Sequence, residues 1–183
     1  VITHSNSNAI TLYSDSSFNL LNGNIINKTY NGIYIHNKSN YNNLTDNLID
    51  DSTLYSLYIF NSSYNRFTDL VIQNSRGSGI VFIGNNLTNY LKNVSVIFGN
   101  LSNYDLNIDS RNSSIELADS YISAYRFNNV FATFVSSGNG KINFTQYFGG
   151  IGTNLSSDVK IGFNYVDVNS SKSFLNKSAI ITF

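Results

Sequence analysis

The apolar residues of this chain recur at a nearly constant interval, and that interval limits the possible folds. Five doublets mark it, each with one residue between its members: Ile10/Leu12, Ile33/Ile35, Leu57/Ile59, Ile80/Phe82 and Leu106/Ile108. A fainter sixth doublet, Val130/Ala132, follows one interval later. A repeat of roughly this length is typical of repeat proteins, in which each unit stacks on the previous one.

Other positions keep the same interval. An asparagine recurs once per unit, as Asn19, Asn42, Asn65 and Asn89. A large apolar residue follows each of them two positions later: Leu21, Leu44, Phe67 and Leu91. The first three asparagines are each preceded by an aromatic residue: Phe18, Tyr41 and Tyr64.

Within each unit, short segments alternate between apolar and polar residues and are separated by Asn, Ser and Gly. Alternation with period two indicates β-strands, and a helical spacing does not persist beyond one turn. The sequence therefore predicts an all-β parallel solenoid of about six coils, with about 23–24 residues per coil. Equal positions would stack about 4.8 Å apart. The asparagine column is then predicted to form a ladder of stacked amides.

The interval fades toward the C-terminal end. Six glycines crowd this part of the chain: Gly138, Gly140, Gly149, Gly150, Gly152 and Gly162. We predict solenoid coils over residues 1–148 and a C-terminal β cap or connector over residues 149–183. The chain ends on the strand-like run AIITF, and an apolar strand at such a place needs a pairing partner.

The polar residues are mostly uncharged. Eleven basic and eleven acidic side chains cancel, and charged residues make up only 12% of the chain, whereas Asn, Ser and Thr number 31, 27 and 11. A neutral surface argues against a nucleic acid or an anionic membrane as partner. The chain has no Cys, which excludes a disulfide framework and thiolate metal sites. We expect no membrane span, because every apolar run is far shorter than a spanning helix requires.

The coils GIYIHNKSNYNNLTDNLI and GIVFIGNNLTNYLKNVSVI resemble the repeats of right-handed parallel β-helix proteins. That group includes pectate-lyase-like enzymes and the copper-associated periplasmic NosD type. The Asn-rich version, with the tail SFLNKSAIITF, is similar to β-helix surface proteins of archaea. The resemblance covers residues 1–148 and implies a right-handed β-helix. It does not imply an activity, because this fold hosts many functions.

The residues themselves argue against catalysis. The positions between the doublet members, Thr11, Tyr34, Tyr58, Val81 and Asn107, carry no group that ionises near neutral pH. A polysaccharide lyase or hydrolase is an alternative, with Asp105, Asp109 and Arg111 as its candidate residues, since paired carboxylates serve glycoside chemistry. We favour solvated turn residues there. His4 and His36 are the only histidines, so we predict no metal and no cofactor.

Glycosylation sequons are more frequent than composition explains. With 38 Ser and Thr among 183 residues, 31 Asn would form about six Asn-X-Ser/Thr sequons by chance. The chain has twelve, at Asn27, Asn37, Asn43, Asn61, Asn86, Asn93, Asn100, Asn112, Asn143, Asn154, Asn169 and Asn176. We predict that several carry N-glycans on the surface of a secreted chain.

These observations together favour a non-catalytic extracellular structural glycoprotein of a cell-surface layer, an adhesin or a self-assembling filament. Its partners would be neighbouring modules of a longer chain, or further copies joined head to tail or by edge strands. A carbohydrate-binding module for a surface polysaccharide is the alternative. Tyr34 and Tyr58 share one column and could stack on a sugar ring, although packing across the coils explains them equally well.

Overall fold

The computed structural model describes residues 1–97 and 103–183. The chain is all-β and forms a parallel β-solenoid of about five turns. The strands in chain order are β1 (Ile2–Thr3), β2 (Asn8–Tyr13), β3 (Leu20–Asn22), β4 (Ile25–His36), β5 (Asn43–Thr45), β6 (Leu48–Phe60), β7 (Arg66–Thr68), β8 (Val71–Gln73), β9 (Ser78–Asn85), β10 (Thr88–Lys92), β11 (Ser95–Ile97), β12 (Leu106–Ala118), β13 (Tyr121–Ile122), β14 (Tyr125–Ser136), β15 (Gly140–Phe144), β16 (Phe148–Gly152), β17 (Val159–Gly162), β18 (Tyr165–Val168) and β19 (Ala179–Thr182). One helical turn, α1 (Leu155–Asp158), and a 3₁₀ turn, Ser173–Leu175, complete the elements.

The strands stack into three parallel columns. Column A contains β2, the second halves of β4 and β6, β9, and the first halves of β12 and β14. Column B contains β3, β5, β7, β10, and the second halves of β12 and β14. Column C contains β1, the first halves of β4 and β6, β8, β11 and β13. Each coil runs from A to B to C.

The core lies between the three columns and consists of stacked apolar side chains. Ile10, Ile33, Leu57, Ile80 and Leu106 pair in register along column A, which confirms the first five doublets. Column B stacks Leu44, Phe67 and Leu91, and column C stacks Ile26, Ile49 and Ile72, all of them buried. Burial of one such side chain contributes about 1.5–3 kcal/mol.

The sixth doublet was placed wrongly. Tyr125 and Phe127, rather than Val130 and Ala132, pair with Leu106 and Ile108. The last coil is shorter than the others, because column C ends at Ile122 and column A resumes at Tyr125. Val130 and Ala132 lie opposite Ser113 and Ile115, at the entry to column B.

The corners of the coils repeat a left-handed backbone conformation. At the corner between columns B and C, five successive coils carry Gly23, Asp46, Asp69, Asn93 and Asp119, with φ of 65°, 55°, 52°, 50° and 48°. Glycine adopts positive φ without steric cost, and Asn and Asp adopt it more readily than other residues. Four of the five residues at this corner are accordingly Asp or Asn, and the fifth is Gly.

A C-terminal cap closes the last coil. β16 pairs antiparallel with the column A half of β14, and β15 pairs antiparallel with the column B half. β19 then pairs antiparallel with β15, and β17 and β18 form a separate hairpin. Leu155, Val159 and Leu175 are buried and belong to the same core as the coils. Parallel pairing ends within β14, and residue 148, the predicted boundary, is the first residue of β16.

One buried polar contact ties the cap to the last coil. The Tyr125 hydroxyl donates to Oδ2 of Asp158 at 2.7 Å, and Nδ2 of Asn169 donates to Oδ1 of the same carboxylate at 2.7 Å. Asp158 is only 4% exposed. Burial, together with the Asp158 carboxylate, raises the pKa of Tyr125 well above its ordinary value. The hydroxyl thus remains a donor and anchors residues 155–169.

Candidate functional site

The predicted asparagine positions are joined by hydrogen bonds from coil to coil. The backbone N–H and Nδ2 of Asn19 donate to Oδ1 of Asn42 at 2.9 and 3.0 Å. Asn42 donates in the same way to Oδ1 of Asn65, at 2.9 and 3.0 Å. The backbone N–H of Asn65 donates to Oδ1 of Asn89 at 3.0 Å. Asn42, Asn65 and Asn89 are buried, so the ladder satisfies backbone groups that water cannot reach.

A second, shorter ladder escaped the sequence analysis. Asn24 donates to Oδ1 of Asn47 from its backbone N–H at 3.1 Å and from Nδ2 at 3.0 Å. This column continues with Leu70 and Val94, which are buried apolar residues. Asn24 and Asn47 are separated by the same number of residues as Asn19 and Asn42, so the spacing could have predicted this second ladder. A column that changes from polar to apolar after two coils, however, does not stand out in an Asn-rich chain.

Tyr34 and Tyr58 lie together on the outer face of column A. Their rings stack in parallel, with centroids 4.6 Å apart and planes at 6°. Tyr55 packs on Tyr58 at 5.0 Å, and His36 meets the Tyr34 ring at 4.7 Å. Burial, with smaller contributions from Tyr34 and Tyr55, raises the pKa of Tyr58 to about 12. The faces that Tyr34 and Tyr58 turn toward each other cannot hold a sugar, so their predicted role in sugar stacking depends on their outer faces.

A second aromatic column lies at the corner between columns A and B. Phe18 stacks on Tyr41 at 5.2 Å and 3°, and Tyr41 stacks on Tyr64 at 4.9 Å and 8°. All three residues have left-handed backbones, with φ of 62°, 58° and 60°. Bulky residues adopt such φ values at a cost of about 1–2 kcal/mol. All three side chains are exposed, which distinguishes this column from the half-buried tyrosines of column A.

The three residues considered for glycoside chemistry have different environments. Asp105 is 1% exposed, and its Oδ2 accepts from the backbone N–H groups of Ser123 at 2.8 Å and Ala124 at 3.0 Å. Burial raises its pKa to about 6, against the opposing effect of these donors. Asp109 and Arg111 are exposed, and Asp109 accepts from Asn128 at 2.8 Å. The interpretation as a solvated turn residue is therefore wrong for Asp105, which is buried and closes the turn that shortens the last coil.

The two histidines do not share a site. His4 lies just after β1, at a corner of the first coil, whereas His36 ends the column A segment of β4. The His36 ring packs against Tyr13 at 4.3 Å, and desolvation lowers its pKa. Over residues 1–97 and 103–183, His, Asp and Glu side chains form no group of three that could hold a metal ion. In the same ranges, no helix is both long and apolar enough to cross a membrane.

The predicted glycosylation sites differ in exposure. Eight have exposed side chains: Asn37, Asn43, Asn61, Asn86, Asn93, Asn112, Asn154 and Asn176. Three are half-buried, namely Asn27, Asn143 and Asn169, and Asn100 lies outside the described residues. The Oδ1 atom of Asn27 is buried. Nδ2 of Asn169, the atom that would carry the sugar, donates to Asp158.

Several exposed sequons occupy left-handed corner positions. Asn37, Asn61, Asn86 and Asn112 have φ of 55°, 47°, 54° and 53° and follow the column A strands of successive coils. Asn37 lies one coil from Asn61, since the preceding residues His36 and Phe60 pair in register. Sugars on these corners would line one edge of the solenoid.

Comparison of the chain with protein-family models, with curated proteins and with solved structures gives no match. The candidate function therefore depends on the residues and geometry described above.

Proposed function

We propose that this protein is a non-catalytic, extracellular structural glycoprotein of a cell-surface layer, an adhesin or a filament. One observation carries the proposal. The repeated polar corner residues divide into buried asparagines that bond along the solenoid and exposed asparagines that lie in sequons. The first set supports a stiff scaffold, and the second would coat it with sugars. The repeats resemble those of right-handed β-helix proteins, a group that includes pectate-lyase-like and NosD-like proteins. The resemblance to the Asn-rich surface proteins of archaea with this fold agrees with the proposed function.

The cap geometry supports assembly from end to end. Ile180, Ile181 and Phe183, in or next to β19, are exposed. β19 is antiparallel to β15, and β15 is antiparallel to β14, so β19 runs in the same direction as the coils. Its outer edge therefore has the strand direction required to pair with the column B strand of another copy or of a neighbouring module. A contact of this kind does not close on itself and would build a filament.

The experiment for the glycoprotein is intact mass spectrometry of the chain isolated from its own source, followed by glycopeptide mapping. We expect a mass above 20.4 kDa and sugars on several of the eight exposed sequons. A native chain at the bare mass would overturn the glycoprotein proposal. Electron microscopy of the same material tests assembly, and isolated particles at high concentration would contradict the filament.

A carbohydrate-binding module is the second candidate. The observation that favours it is the aromatic cluster on the outer face of column A, where Tyr34 and Tyr58 are half-buried rather than buried. Aromatic rings with an accessible face bind sugars through their apolar surface. Binding of the chain to a glycan array would distinguish this candidate from a purely structural role. Loss of that signal in the double variant Tyr34→Ala/Tyr58→Ala would assign the binding to this face.

A further inference from the structure

A groove runs along the corner between columns A and B, just beyond the ends of β2, β4 and β6. It has a volume of about 650 Å³ and extends over four coils, from Ser14 to Leu87. Six residues form its C-terminal part: Asn61, Ser63, Tyr64, Asn85, Asn86 and Leu87. None of them belongs to the Tyr34/Tyr58 cluster.

Tyr64 lines this groove and is 44% exposed. One face of its ring is covered by Tyr41, stacked at 4.9 Å from the preceding coil. The aromatic column ends at Tyr64, because the next coil has Thr88 at the equivalent position, where its carbonyl accepts from the Tyr64 backbone N–H. The coil after Tyr64 also has one extra residue in this turn, since Phe60 lies opposite Ile83 whereas Asn65 bonds to Asn89. The column thus ends beside a widened turn.

The polar lining suits a neutral ligand. Asn61, Asn85 and Asn86 supply amide donors and acceptors, and Ser63 supplies a hydroxyl. The charged groups in the lining, Asp15 and Lys38, belong to the two coils before Asn61 and have opposite signs, and the Lys38 backbone N–H donates to the Asn61 carbonyl at 2.9 Å. An aromatic face beside uncharged hydrogen-bonding groups matches a pyranose, which has an apolar face and a rim of hydroxyls.

We propose that this groove binds a neutral pyranose, which stacks on the Tyr64 face opposite Tyr41 and bonds to the asparagines around it. The sugar has two possible sources. It is either part of a free polysaccharide or a residue of an N-glycan attached to Asn61 or Asn86, both of which lie in sequons. The inference does not depend on the structural role proposed above. Its first test uses a chain without glycans, so binding can be observed whether or not the native protein is a structural glycoprotein.

The first experiment titrates the unglycosylated chain, produced in bacteria, with N,N′-diacetylchitobiose and with cellohexaose, by NMR. We expect saturable shifts of the Asn61, Asn85 and Asn86 amides for at least one sugar, with a Kd of about 1 mM or below. Tyr64→Ala should weaken binding at least about tenfold, whereas Tyr64→Phe keeps the ring and should retain it. Tyr30→Ala, at another exposed tyrosine, is the matched control and should bind like the wild type.

If the wild-type chain shows no saturable NMR shift with either sugar at about 10 mM, the proposal is wrong, regardless of the results for the variants. Shifts confined to Tyr34 and Tyr58 also overturn it and move binding to column A. The second experiment distinguishes the sources. If the chain's own glycan fills the groove, native glycosylated protein binds no added sugar, and removal of its glycans restores binding. If the ligand is a free polysaccharide, both forms bind.

Discussion

Asn42 donates two hydrogen bonds to a single atom of Asn65, the Oδ1 one coil further along the solenoid. The donors are the backbone N–H, at 2.9 Å, and the side-chain Nδ2, at 3.0 Å. Both residues are buried. One side-chain oxygen therefore satisfies a backbone group and a side-chain group of its neighbour, which explains why Asn recurs at this corner.

Replacement of Asn65 by Ala should lower the free energy of unfolding by about 2–3 kcal/mol. The substitution removes the oxygen that accepts both Asn42 hydrogen bonds, and the buried backbone N–H of Asn42 then has no acceptor there. Urea denaturation followed by circular dichroism measures the loss. Asn22→Ala, at an exposed position of β3, is the control and should change the stability by less than about 0.5 kcal/mol. Equal effects of the two substitutions would contradict the energetic role of the ladder.

The inner and outer faces of column A should respond differently to truncation. Ile59 is 0% exposed and stacks between Ile35 and Phe82, so Ile59→Ala should cost about 2–5 kcal/mol through a cavity in the core. Thr11 lies on the outer face of the same column and is exposed. Thr11→Ala should be nearly neutral in the same denaturation experiment, and a large loss there would argue against the assigned faces.

The cap should loosen when Tyr125 loses its hydroxyl. Tyr125→Phe keeps the buried ring but removes the donor to Asp158, and the carboxylate then loses one of its partners. A hydrogen bond to a charged group contributes about 1.5–3 kcal/mol. We expect faster hydrogen exchange, measured by mass spectrometry, in residues 155–169 and little change in β5–β8. Tyr165→Phe, at an exposed tyrosine, should leave the exchange of both regions unchanged.

Asp105 should make the protein more stable in mild acid than at neutral pH. Burial raises its pKa to about 6 from 3.8, so the folded state favours the protonated carboxyl. The resulting stabilisation is fully present below pH 3.8 and is lost as the pH rises through about 6. The loss amounts to at most about 3 kcal/mol.

The measurement is the difference in unfolding free energy between wild type and Asp105→Asn from pH 3.5 to 7.5. Asparagine keeps an oxygen that can accept from Ser123 and Ala124 but does not titrate. We expect the difference to shift in favour of the variant as the pH rises. A difference that stays constant over this range would show that the Asp105 pKa is ordinary.

The recurrence of the doublets and of the asparagines was sufficient to predict the coils, their register and the residues of the first ladder. The reason is that the neighbours of a residue in a solenoid are the residues one coil before and one coil after it, about 4.8 Å away. The prediction failed at the sixth doublet. Val130/Ala132 was assigned to column A because it continues the interval of the earlier doublets, whereas the short turn at Ser123 and Ala124, which Asp105 closes, starts column A earlier, at Tyr125.

The sequence by itself determined that this protein stacks like residues on like, since the constant spacing and the alternation of apolar residues act over one coil at a time. Only the tertiary structure decided which surfaces remain available. It ended the aromatic column at Tyr64, buried Asp105 and engaged Asn169 with Asp158. These outcomes depend on single insertions, on a short turn and on a cap without periodicity, so the contacts come from residues that no repeat relates.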